Sequence, residues 1–144
     1  MTVYLDTSSV IKLYVSEAGS ELVHQLVDDA TVVATSVITY AETRAALARL
    51  RRERALTASR LTAAKREFDG QWPTFLTLEV TDTLSRMAGD FAERYRLRGF
   101  DSIHLASFAE VARRAGPRET QFSSFDERQN RAARTLTRTL SRQA

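Results

Sequence analysis

The sequence predicts an α/β domain, a parallel sheet with helices on both faces. Three observations carry this. Short runs with strand character at 2–5, 31–34, 75–80 and 120–124 alternate with helical stretches, the pattern of a sheet built from crossover units. Acids recur where those strands end or the next helix begins, at Asp6, Asp101 and Asp126. The 144 residues suffice for one domain with a buried core, so residues 1–144 are expected to form a single unit.

In chain order, the run 2–5 is apolar enough to be buried on both faces. A helical segment over 8–15 and a helix over 17–28 follow, the latter with Leu22, Val23, Leu26 and Val27 at helical spacing. The β-branched run 31–34 is the second strand. Ser36 is placed to cap a long helix running through Tyr40, Ala45 and Leu47 to about Arg54. A helix over 58–69 is expected to stop at Gly70 and Pro73, before a third strand over 75–80. Thr81 or Asp82 caps a helix over 83–97, and Gly116-Pro117 closes the next, over 101–115. Residues 120–124 give the last strand, Asp126 starts the last helix, and the Arg- and Thr-rich tail from Thr135 is expected to fray.

Composition narrows the function classes. There is no cysteine, which excludes disulfides, thiolate chemistry and a Cys-built zinc site. No run approaches 18 apolar residues and no basic segment leads into an apolar one at the N-terminus, so a cytoplasmic protein without membrane contact is expected. The net charge of +3 is unevenly spread: residues 41–70 carry eight bases against four acids, and residues 111–144 eight against three. Basic blocks beside acidic ones suit a protein that holds a phosphate backbone next to a metal site. With Lys12 and Lys65 the only lysines, the arginine excess has a second reading in genome composition.

In a parallel sheet, ligands bind beyond the carboxyl ends of strands, near the switch in strand order. Asp6 and Asp126 fall at such ends, and Glu42 follows the second strand closely enough to lean over the same edge. Asp101 opens a helix whose followers Ser102, Ile103, Leu105 and Ala106 pack closely behind it. Taken singly, Asp6, Asp101 and Asp126 read equally as helix caps, and Glu42 as a solvated helix residue. Together, four carboxylates at equivalent places converge, and like charges are costly unless a cation neutralises them. Thr7, Ser8 and Ser124 are candidate phosphate contacts or supports of these acids, or plain caps. His104 shares a face with Asp101 and reads as a satisfied core residue more readily than as a base. Arg128, Arg131 and Arg134 form either a solvated face or a phosphate grip.

These segments resemble the PIN-domain ribonucleases, and among them the toxin subunits of VapBC-type toxin–antitoxin modules. Val3-Tyr4-Leu5-Asp6-Thr7-Ser8-Ser9 is similar to the first-strand motif, and Thr35-Ser36-Val37-Ile38-Thr39-Tyr40-Ala41-Glu42 to the second acidic motif. Phe100-Asp101-Ser102-Ile103-His104-Leu105-Ala106 resembles the third, with Ser102 where Ala is usual. Ser123-Ser124-Phe125-Asp126 resembles the looser fourth, with Ser124 where Thr is commoner.

The resemblance implies a three-layer α/β/α sandwich with a mainly parallel central sheet. It implies Mg²⁺ or Mn²⁺ held by Asp6, Glu42, Asp101 and Asp126, and hydrolysis of RNA phosphodiester bonds by an activated water. It implies a homodimer, and a cognate antitoxin protein that covers the site. Leu47, Leu50, Leu56, Leu61 and Phe68 are a candidate groove for that antitoxin, or else core or dimer contact. A haloacid-dehalogenase-like phosphotransferase needs a second Asp two residues after the first, where Ser8 stands. A receiver domain needs a late lysine that this chain lacks. The alternative that stays open is a non-catalytic PIN-like module that binds RNA or protein.

Overall fold

The computed structural model describes residues 1–143. Strands β1 (Thr2–Leu5), β2 (Val32–Ser36), β3 (Leu76–Leu78) and β4 (Thr120–Ser123) form one parallel sheet in the order β3-β2-β1-β4. The chain steps outward from β1 through β2 to β3, then returns to place β4 on the other side of β1. In register, Tyr4 lies beside Ala34 and Phe122, and Leu5 beside Ser123. The strand order therefore reverses at β1 and β4, and the crevice beyond their carboxyl ends is where an open parallel sheet binds its ligand.

Helices cover both faces, which explains why β1 is buried along its whole length. Alternation along β1 divides the core. Tyr4 points to one side, against α5 (Asp82–Tyr95), α6 (Gly99–Ala115) and α7 (Glu127–Gln143), among Phe91, Leu105, Phe108 and Leu136. Val3 and Leu5 point to the other, against α1 (Thr7–Val10), α2 (Ser20–Asp29), α3 (Thr39–Arg52) and α4 (Ala58–Gln71), among Val10, Val23, Leu47 and Phe68. The result is the expected α/β/α sandwich. Among the described residues no helix is long and apolar enough to cross a membrane.

Several expectations need correction. The helical segment over 8–15 is a single turn, α1, running into a 3₁₀ turn at Ile11–Leu13. The next helix starts late, at Ser20, because Gly19 takes a left-handed φ of 92° ahead of it, and Leu22 points outward while Val23 is buried. Ser36 does not cap α3. It ends β2, and α3 begins after Ile38 with no side-chain cap. Gly70 does not stop α4, which continues to Gln71, and Pro73 sits in the opening of a 3₁₀ turn (Trp72–Thr74), where its missing N–H costs nothing. The third strand is shorter than expected, Leu76–Leu78.

The tail from Thr135 continues α7, which runs through Gln143, with Ala132, Ala133, Leu136 and Leu140 in a buried stripe at helical spacing. The final residue of the tail expectation, Ala144, lies outside the described residues. Leu47, Leu56 and Phe68 are buried, with Leu50 and Leu61 packed against the same cluster, so this set is core and not an open groove.

Candidate active site

Asp6 follows the last residue of β1 and is 2% exposed. Its extended backbone places the carboxylate over the start of α1, where Oδ1 accepts the Ser9 N–H at 3.1 Å. Capping is only part of its environment. Ser8 Oγ donates to Oδ1 at 2.7 Å, Ser124 Oγ to Oδ2 at 2.6 Å, and Gln129 Nε2 to Oδ2 at 3.2 Å. None of these donors carries a charge. Burial pushes the Asp6 carboxyl above its ordinary value, and the positive charge available on His104 and the bonds from Ser124, Ser8 and Ser9 offset this only in part.

Asp101 is not the cap of α6. The helix begins two residues earlier, at Gly99, and the carboxylate lies in its first turn, a place favoured by the helix dipole. Its Oδ1 accepts from Gln129 Nε2 at 3.0 Å, and its Oδ2 from Arg98 Nε at 3.1 Å. One amide nitrogen thus joins Asp6 to Asp101, across the crevice at the switch in strand order.

Glu42 stands on the first turn of α3, in a different setting. Thr7 Oγ1 donates to its Oε1 at 2.6 Å, and His104 Nε2 lies 2.8 Å from the same oxygen. A carboxylate only accepts, so Nε2 carries the proton in this pair. His104 Nδ1 lies 2.9 Å from the hydroxyl of Tyr4, which is completely buried. In the neutral imidazole Nδ1 accepts from that hydroxyl, which fixes the tautomer. Burial pushes the Glu42 carboxyl up, but the bonds from His104 and Thr7 outweigh it and hold the group below its ordinary value. His104 is thus a satisfied core histidine that positions Glu42.

Asp126 precedes α7 as its cap: Oδ1 accepts the Gln129 N–H at 3.0 Å, and its own N–H donates to Ser124 Oγ at 3.0 Å. One of its carboxylate oxygens is taken by its own helix, and its charge also acts on Arg98, the residue that bonds Asp101. Ser8 and Ser124 both grip Asp6 and lie 3.4 Å apart, and Ser8 Oγ also accepts the Phe125 N–H at 2.9 Å, tying the two strand exits together. Of the arginines Arg128, Arg131 and Arg134 on α7, Arg134 pairs with Glu127 at 3.0 Å, while Arg128 and Arg131 line a separate hollow with Tyr95 and Arg96.

A family model described as "PIN domain" matches residues 3–135. The chain belongs to the PIN domain family. Two relatives from Mycobacterium tuberculosis are each 40% identical to it over 109 residues, 76% of this chain and 76% of their own. They are Ribonuclease VapC45 of strain CDC 1551 / Oshkosh and Ribonuclease VapC49 of strain H37Rv. The crystal structure of FitAcB from Neisseria gonorrhoeae has a similar fold, with a TM-score of 0.65 at 18% identity, covering 92% of this chain and 93% of that one.

In this PIN domain the four acids do not form a preassembled cage. Among the described residues no three Asp, Glu, His or Cys side chains are grouped closely enough to hold a metal ion together. Asp6 and Asp101 are paired through Gln129, Glu42 is bonded by Thr7, the neighbour of Asp6, and shares a hollow with Asp101, and Asp126 caps α7. An all-oxygen set of one or two carboxylates is nevertheless what Mg²⁺ takes, since it keeps several of its waters.

Sequence reasoning missed Gln129 and the link from Tyr4 through His104 to Glu42. The order Asp126-Glu127-Arg128-Gln129 signals an ordinary helix start, and nothing local shows that the Gln129 side chain turns away to the acids. Beside the acids runs a groove of about 650 Å³ whose walls include Lys12, Arg49, Arg52 and Arg98, with Phe100 and Phe125 exposed along it.

Proposed function

We propose that this chain is a Mg²⁺- or Mn²⁺-dependent endoribonuclease that hydrolyses RNA phosphodiester bonds, the toxin of a type II toxin–antitoxin pair. The observation that carries the reading is the pair of carboxylates, Asp6 and Asp101, held by one amide at the strand switch of a PIN domain. The ribonuclease assignment draws its support from relatives at 40% identity that carry that name.

In this reading Asp6 and Asp101 hold the principal ion, Glu42 joins them directly or through water, and Asp126 serves the phosphate side or a second ion. A bound divalent cation supplies a water of lowered pKa and charge neutralisation at the scissile phosphate. The residues of this chain do the rest. Ser8, Ser124 and the Ser9 N–H fix Asp6, and Thr7 and His104 fix Glu42. Rigid outer partners of this kind orient metal-binding carboxylates. In this reading one of the carboxylates accepts the proton of the attacking water, and Glu42, half-buried with its carboxyl held below its ordinary value, is the candidate.

Arg49, Arg52 and Arg98 attract the phosphate backbone, and the exposed Phe100 offers a face on which an unpaired base stacks, while Lys12 is paired with Glu17 at 2.9 Å and lies over the Phe125 ring. An antitoxin protein would inhibit by covering this groove. A homodimer and a cytoplasmic setting complete the proposal.

The test is to incubate the purified protein with total cellular RNA and Mg²⁺ or Mn²⁺, and to map new 5′ ends. An Asp6→Asn/Asp101→Asn double variant serves as control. Discrete cuts by the wild type alone, abolished by EDTA, are expected. Cuts that persist in the double variant would overturn the assignment of the site, and cuts that persist in EDTA would overturn the metal chemistry.

A further inference from the structure

Gln129 has an unusual position for the residue three places after a helix cap. In a capping box that residue turns its side chain back to the N–H of the cap. Here only the backbone half of the box is made, with the Gln129 N–H on Asp126 Oδ1. The Asp126 N–H is taken by Ser124 Oγ instead, and the Gln129 side chain is released from the cap.

It turns inward and is 3% exposed. The two N–H bonds of its amide go one each to Asp6 Oδ2, at 3.2 Å, and Asp101 Oδ1, at 3.0 Å. The orientation is fixed by chemistry: the reverse placement would set a carbonyl oxygen against two carboxylates. The cost is visible at the other end of the amide, where Oε1 is buried and finds no partner among the described residues. A buried carbonyl left unpaired is unfavourable, so the arrangement satisfies the two acids at the expense of the glutamine itself. An amide is a neutral donor, and it leaves the like charges of the acids uncompensated.

We propose that Gln129 is a placeholder for the cation: a positioning residue whose amide keeps Asp6 and Asp101 paired in the metal-free protein and yields those oxygens when a divalent ion enters. The proposal rests on the metal reading above. It adds a competition, since the amide and the ion want the same lone pairs. Removing the amide weakens the metal-free fold more than the metal-loaded one.

The experiment is a melting-temperature measurement on the full chain, wild type and Gln129→Met, with and without Mn²⁺. In the wild type, Mn²⁺ raises the melting temperature. In Gln129→Met the metal-free melting temperature falls and the Mn²⁺-induced rise becomes larger than in the wild type. Equal falls with and without Mn²⁺, or no fall, would reduce Gln129 to an ordinary packing residue and overturn the proposal. A wild type indifferent to Mn²⁺ would instead overturn the metal reading beneath it.

A second measurement leaves Gln129 itself in place. The side-chain amide resonances of Gln129 in a ¹⁵N-correlated NMR spectrum are expected to shift on titration with diamagnetic Mg²⁺. The shift should vanish in Asp101→Asn. Resonances that stay fixed while backbone signals around Asp6 move would also sink the placeholder role.

Discussion

Asp6 and Glu42 are both acids withdrawn from solvent at the same edge of the sheet, yet their environments push them in opposite directions. Asp6 is the more deeply buried and receives four hydrogen bonds, all from uncharged donors, and its carboxyl is raised. Glu42 receives fewer, but one comes from an imidazole, and its carboxyl is lowered. Neutral hydrogen bonds do not replace lost hydration for a fully buried charge, whereas an imidazole bonded directly to a half-buried carboxylate does so for Glu42. Asp6 has no charged group bonded to it, with His104 acting on it only at a distance, and it is the acid that gains most from a cation. The Glu42 half of the site is internally complete.

The largest effect should come from breaking the incomplete half. Asp6→Asn is expected to lower RNA cleavage by at least about 100-fold, beyond the range typical of outer partners of metal ligands, with the circular dichroism spectrum unchanged. Equal activity in variant and wild type would remove Asp6 from the centre of the site. Next comes the complete half. His104→Phe removes the partner of both Tyr4 and Glu42 and should destabilise the fold by about 1–3 kcal/mol, the cost of leaving buried polar groups unpaired, as read by urea denaturation. A loss of activity without loss of stability would make His104 a chemical participant instead of a support.

The two halves should also separate by pH in the metal-free protein. The native Asp6 carboxyl is raised above its ordinary 3.8, so between that value and its native one the folded state binds more protons than the unfolded chain. Stability from this group therefore rises as pH falls through that window. Glu42 is lowered from 4.5, so its contribution is complete above 4.5 and is lost as pH falls through the lower native value. Urea midpoints against pH should show the acid-side gain disappearing in Asp6→Asn. In Glu42→Gln the loss should instead appear at neutral pH and close on acidification. Parallel curves for both variants would contradict the contrast.

The smallest effect on the fold belongs to the rim. Arg98 is 80% exposed at its side chain although it bonds Asp101, so Arg98→Ala should leave stability unchanged while weakening RNA binding, and more so at low salt. Its test is fluorescence polarisation with a labelled RNA across salt concentrations.

Much of this was legible in the chain. The four strands and their parallel arrangement follow from short β-rich runs separated by helices, and Asp6, Glu42 and Asp101 stand at places the order of elements already brings near one edge. What the sequence hides is which way a side chain turns once two elements meet. Gln129 and Asp126 form a capping pair by every local signal, and only the packing of α7 against α6 and β4, beside the exit of β1, diverts the glutamine to Asp6 and Asp101. His104 shows the same limit: its spacing places it on the face of Asp101, but its ring reaches Tyr4 and Glu42 instead. The Arg- and Thr-rich tail from Thr135 reads as a frayed end because composition outweighs a stripe of Ala132, Ala133, Leu136 and Leu140 that runs into it. In the fold that stripe closes the core.

The most direct test of the central claim is Mn²⁺ binding by titration calorimetry, compared across the wild type, Asp6→Asn, Asp101→Asn and Asp126→Asn. Saturable binding by the wild type, lost in Asp6→Asn and Asp101→Asn and largely kept in Asp126→Asn, is the expected result. Binding undiminished in Asp6→Asn or Asp101→Asn would contradict a cation site built on these two paired carboxylates.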